Sequence, residues 1–193
     1  MRAEPTNSPT ICGFAGSARE GSLNRRLLHS VADLCTASGH DVRLIEPADL
    51  ALPLFNQDLE DSQGIPAGVA SIQSAIAGSD AVLIASPEYN GGYTPLFKNT
   101  IDWISRIDHL TFFPKYVGLL CATPGRRGGA RALAQMEQLF ANIFVSTHAP
   151  SFGIGDARAA LEQKPVPGLR DWVQGFLSGA AAHAAIPPAH PDR

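Results

Sequence analysis

Short apolar runs bounded by turn residues alternate along this chain with longer stretches in which apolar residues recur every three to four positions. That alternation marks β-α-β units, in which each strand is followed by a helix that crosses back over a parallel sheet. Five runs read as strands: Thr10–Ala15 (TICGFA), Asp41–Glu46 (DVRLIE), Ala81–Ser86 (AVLIAS), Tyr116–Ala122 (YVGLLCA) and Asn142–Thr147 (NIFVST). The third and fourth are nearly continuous in apolar character, as strands covered on both faces must be, and are expected at the centre of the sheet. Helical patterns fall at about Ser22–Ser38, Pro66–Gly78, Pro95–Ile107, Gly129–Phe140 and Gly168–Ala185. Pro66 and Pro95 suit a first helical turn, and Gly39 and Gly78 suit helix ends.

Right-handed crossovers distribute such helices over both faces, so the expected fold is α/β, a three-layer sandwich on an open parallel sheet. With 193 residues and no internal composition shift, residues 1–186 are expected to form a single domain, with a proline-rich, disordered tail at 187–193. The acidic stretch Ala51–Gly68 reads as a long loop.

Composition removes several function classes. Net charge is −3, and the 15 Lys and Arg residues are scattered except at Arg126 and Arg127, so no basic stripe offers itself to nucleic acid. No apolar run reaches the ~18 residues of a membrane span, and the opening MRAEPTNSPT lacks the apolar core of a secretory signal, so a cytoplasmic, non-membrane protein is expected. Cys12, Cys35 and Cys121 have neither metal nor redox-pair spacing and sit in apolar runs, so they read as buried small side chains. The six histidines form no ligand spacing, and no metal is expected.

The candidate chemistry begins directly after the first strand, in GFAGSAREGSLNRRLL (Gly13–Leu28). In an open α/β sheet, ligands lie beyond the carboxyl ends of the strands, where strand order reverses. There a loop and a helix N-terminus present unsatisfied N–H groups and the positive end of a dipole, and Ser17, Arg19, Ser22 and Asn24 add side-chain donors. A phosphate monoester suits that set, although Ser22 and the glycines also read as an ordinary capped turn. Neither the P-loop pattern nor the dinucleotide pattern GxGxxG is present.

Three stretches together carry a family resemblance. GSAREGSLN resembles the phosphate loop of the NAD(P)H-dependent FMN reductases, flavodoxin-like enzymes that include quinone, azo-dye and chromate reductases. PEYNGGYTPLFKNTIDW (Pro87–Trp103) is similar to that family's loop and helix after the third strand, and ATPGRRGGARALAQM (Ala122–Met136) resembles its glycine-rich loop after the fourth. The resemblance implies a flavodoxin-like sheet of order 2-1-3-4-5 and bound FMN. Ser17, Arg19, Ser22 and Asn24 would hold the phosphate, Pro87, Glu88, Tyr89 and Asn90 would line the isoalloxazine, and Thr123, Gly125 and Arg126 would border it. Thr147–Gly168 matches nothing in the family pattern and receives no role, and Arg127 stands where a smaller or apolar residue is usual.

The implied activity passes hydride from NADPH or NADH to the flavin and then to a small acceptor such as a quinone, azo compound, free flavin or metal oxyanion, with no catalytic side chain. SFGIGDA should not be read as part of a catalytic triad. The rival reading is a flavodoxin-type electron carrier, which would call for a denser acidic surface than 18 acids against 15 bases provide. Arg126 and Arg127 are candidates for the 2′-phosphate of NADPH. On the helix Pro95–Ile107, Leu96 and Trp103 fall on a flank away from the sheet-facing stripe. With the implied family dimers, this predicts a homodimer or homotetramer with Trp103 at or beside the interface, the alternative being that Leu96 and Trp103 pack under the acidic linker of the same chain.

Overall fold

The computed structural model describes residues 8–143 and 148–186. Strands β1 (Ile11–Ala15), β2 (Val42–Leu44), β3 (Ala81–Ala85), β4 (Tyr116–Ala122) and β5 (Phe152–Ile154) form one parallel sheet of order β2-β1-β3-β4-β5. Every residue of β1, β3 and β4 is buried, which is why these strands read as unbroken apolar runs. One core layer packs α1 (Leu23–Ala37) and α7 (Leu169–Ala184) on the sheet through Leu27, Val31, Leu83, Leu120 and Phe176. The opposite layer packs α3 (Ala67–Ala77), α4 (Pro95–Ile107) and α5 (Ala130–Asn142) through Ile72, Phe97, Ile101, Leu119 and Phe140. No helix among the described residues is long and apolar enough to cross a membrane.

Two elements differ from the sequence pattern. The stretch read as one long loop contains a helix, α2 (Gln57–Gln63), opened by the Asn56 side chain accepting from Asp58 N at 2.8 Å. None of its residues is buried, so it has no apolar stripe to announce it. The fifth strand lies at Phe152–Ile154 rather than Asn142–Thr147: Asn142 ends α5, and residues 144–147 lie outside the described residues, as does the tail 187–193. His148 bridges Val117 and Phe152 pairs with Leu120, so this edge carries one more residue than β4 across the same span. Pro150, which has no N–H to donate, sits inside that irregularity. A short helix, α6 (Ala157–Ala160), follows β5.

Trp103 does not face a partner. It is fully buried, its Nε1 donates to Pro53 O at 2.7 Å, and its ring meets Phe55 edge-on at 5.1 Å. Asn99, one turn earlier, donates to Pro53 O at 2.9 Å and accepts from Phe55 N at 2.7 Å. Arg106 adds an ion pair with Glu60 at 2.9 Å. The flank that the sheet cannot cover is thus covered by the acidic linker of the same chain, and the expectation of Trp103 at a subunit interface is corrected. A wide indole with one donor needs both apolar cover and an acceptor, and the linker supplies both.

Candidate active site

Three loops meet beyond the carboxyl ends of β1, β3 and β4, on either side of the point where the strand order reverses, and enclose a cleft of about 640 Å³. They are held together by backbone-scale devices. Gly16 has no room for a side chain, since a Cβ would meet Phe97 Cβ and Thr94 Oγ1 at 2.8 Å. Thr94 Oγ1 donates to Gly16 O at 2.6 Å while accepting from Phe97 N at 3.2 Å, so one hydroxyl caps α4 and joins the first loop to the second.

The first loop, residues 17–22, runs into the N-terminus of α1, whose first turn carries no acid. Among the described residues, the five backbone N–H groups of Ser17 to Gly21 donate to nothing within the chain. Ser17 and Ser22 are buried, Arg19 is exposed, and all three line the cleft. Ser22 Oγ accepts from Arg25 N at 3.3 Å, and its O–H remains available to donate into the cleft. Asn24 also lines the cleft, and its amide donates to Ala122 O and accepts from Ala122 N, both at 2.8 Å. It therefore locks the start of α1 to the end of β4 and sets the spacing of the cleft walls.

The second loop turns at Asn90 (φ 53°) and Gly91 (φ 82°), between Tyr89 and Gly92, which exchange backbone hydrogen bonds of 2.9 and 3.0 Å. Asn-Gly with both angles positive is a tight hairpin turn. It carries Pro87, Glu88 and Tyr89 along the cleft, with Tyr89 47% exposed, and leaves Asn90 at the tip, outside the lining. Helix α5 buttresses this hairpin twice, through Ala132 N donating to Glu88 Oε2 (3.2 Å) and Gln135 Nε2 donating to Gly91 O (3.0 Å).

The third loop brings Thr123, Gly125, Arg126 and Arg127 to the opposite wall, with Thr123 Oγ1 donating to Gly125 O at 2.9 Å. It is closed by Gly128 (φ 61°) and Gly129 (φ 75°). Arg158 of α6 also lines the cleft, a residue that no motif pointed to. Four arginines face the cleft against one carboxylate, Glu88, which is already bonded to the start of α5.

The NADPH-dependent FMN reductase family model matches residues 9–159. The chain belongs to that family. It is 35% identical over 139 residues to an NAD(P)H-dependent FMN reductase of Pseudomonas aeruginosa, covering 72% of this chain and 71% of that protein. It is 34% identical over 149 residues to an NAD(P)H:quinone oxidoreductase of Solanum tuberosum, covering 77% and 73%. Among solved structures, FerB, a flavoenzyme NAD(P)H:(acceptor) oxidoreductase of Paracoccus denitrificans, superposes with a TM-score of 0.73 at 26% identity, covering 91% of this chain and 98% of that one.

The cleft fits the FMN that the family uses. Its volume lies in the range of cofactor sites, roughly 300–1,000 Å³. The free N–H groups and buried hydroxyls of the first loop suit a doubly charged phosphate, and the hairpin, held at left-handed backbone angles, lets main chain approach a flat ring.

The cysteines take no part in this site. Burial pushes the Cys12 and Cys35 thiols up to about 11, and Cys121, buried and beside Glu88, to about 12. At about pH 8 an aromatic disulfide reagent should label none of the three in the native protein and all three in denaturant. Because the folded thiols hold their protons to higher pH than the ordinary value of 9.0, the stability linked to them is complete below that pH and is lost as pH climbs through 11.

Proposed function

We propose that this chain is a cytoplasmic NAD(P)H-dependent FMN oxidoreductase acting on small quinone-type acceptors. The observation that carries the reading is the juxtaposition, at the switch point of the sheet, of five free N–H groups at a helix N-terminus with an arginine-rich cleft. Ser17, Arg19 and Ser22 hold the phosphate. Pro87, Glu88 and Tyr89 line the ring on one side, with Asn90 shaping the turn that presents them. Thr123, Gly125 and Arg126 border it on the other, and Asn24 keeps the two walls in register. Bound FMN supplies hydride acceptance and release, so the protein's part is orientation and charge. Backbone N–H groups of the second loop would offer donors to the ring's polar edge, where reduction develops negative charge.

The test is a visible spectrum of the purified protein with the released cofactor identified, followed by anaerobic NADPH addition. The expected results are FMN rather than FAD, and bleaching before any acceptor is present. A protein that takes up no flavin on reconstitution rejects the reading. Arg19→Ala should weaken FMN binding by about 1.5–3 kcal/mol, roughly 10- to 150-fold, as measured by fluorescence titration of the apoprotein.

The protein acts as a homodimer or a pair of dimers. Leu54 (77% exposed) and Ile107 (39% exposed), both in the layer formed by the linker and α4, support a subunit contact there. Sedimentation should give a dimer or larger at micromolar concentration, reduced to a monomer by Leu54→Glu.

A further inference from the structure

The two walls of the cleft are built differently. The first loop offers buried hydroxyls and fixed N–H groups, whereas Arg126, Arg127 and Arg158 are exposed and none of them is in an ion pair among the described residues. The three arginines belong to one unit despite their separation in sequence. Asp156 N donates to Gly125 O at 3.2 Å and Ala157 N to Thr123 O at 3.0 Å, so the start of α6 hangs directly on the third loop. Gly155 lies so close to Arg126 that a Cβ there would collide with the Arg126 carbonyl. The exposed Asp156 leaves Arg158 unpaired and points no ion pair at the wall.

A resident FMN phosphate carries about two charges and has its own donors on the first loop. It leaves the positive charge of the other wall unmatched. Exposed guanidiniums hold an anion without deep desolvation and release it readily, which suits a ligand that must leave in every cycle. NADPH differs from NADH only by a 2′-phosphate, a monoester of about the same charge. Resting on the FMN reading above, we propose that Arg126, Arg127 and Arg158 form a second phosphate site, for the 2′-phosphate of NADPH, and that Arg158 is a specificity-determining residue of it.

The test titrates the FMN-loaded protein with two redox-inert probes, adenosine 2′,5′-bisphosphate and 5′-ADP, by calorimetry. The parent should prefer the 2′-phosphorylated probe. Arg158→Ala should weaken that probe by about tenfold or more, leave 5′-ADP unchanged and keep the parental ratio of FMN to protein, with Arg158→Lys in between. The KM for NADPH should rise while that for NADH does not. Equal losses for both probes would place the shared adenosine 5′-phosphate at this wall and overturn the proposal. So would no loss at all, no preference in the parent, or loss of FMN from Arg158→Ala, which would put Arg158 in the resident phosphate site. A parent that takes up no FMN rejects the enzyme reading instead, so the two failures are distinguishable.

Discussion

Trp103→Ala is expected to lower the unfolding free energy by about 3–5 kcal/mol, the range for emptying a buried aromatic site. In a domain of this size that corresponds to roughly a 6–20 °C fall in Tm, read by calorimetry or by the far-ultraviolet signal. Three losses combine. The indole leaves a cavity between α4 and the linker, the Pro53 carbonyl loses its 2.7 Å donor, and Phe55 loses its edge-on partner at 5.1 Å. Asn99 still donates to Pro53 O at 2.9 Å, so that carbonyl is not left bare. Trp103→Phe should recover much of the apolar part and none of the hydrogen bond. Because the ring is internal, Trp103→Phe should not change the sedimentation coefficient of the folded protein.

Gly129→Ala should cost about 2–5 kcal/mol, from two sources that add. A left-handed angle costs a side chain about 1–2 kcal/mol, and forcing an atom into a filled core costs about 1–3 kcal/mol. Gly129 has φ 75°, and a Cβ there would overlap Cys121 Sγ and lie 2.8 Å from Cys121 Cβ. Cys121 is fully buried near the end of β4 and cannot retreat, so the third loop must move. That loop carries Thr123, Gly125 and Arg126, so FMN affinity should fall together with stability. Gly21→Ala is the control, since a Cβ at that cleft residue meets nothing within 4 Å. It should leave stability within about 0.5 kcal/mol of the parent.

Amino-acid order alone determined the three central strands and the loops that follow them. Strands β1, β3 and β4 are buried on both faces, so hydrophobicity without alternation had to appear, and it does in ICGFA, AVLIA and YVGLLCA. Helix starts were equally legible from Ser22, which caps α1, and from Pro95, which opens α4. Ser17, Arg19 and Ser22 after the first strand marked an anion site through helix-end charge, whereas the loops after the third and fourth strands were assigned by their resemblance to the family.

What remained was decided by contacts between residues far apart in the chain. Helix α2 has no fully buried residue, so it left no periodic signal, and its own Glu60 is engaged by Arg106, 46 residues away. Trp103 reads as an interface residue until Pro53 and Phe55 are seen to cover it. Asn24, read as a phosphate donor, also ties the start of α1 to Ala122, 98 residues later. Arg158 sits in a stretch without a motif and reaches the cleft only because Asp156 and Ala157 bond to the third loop. Local pattern specifies which backbone conformation a segment prefers, whereas the partner of an exposed flank, an amide or a guanidinium depends on where the folded chain brings distant segments together.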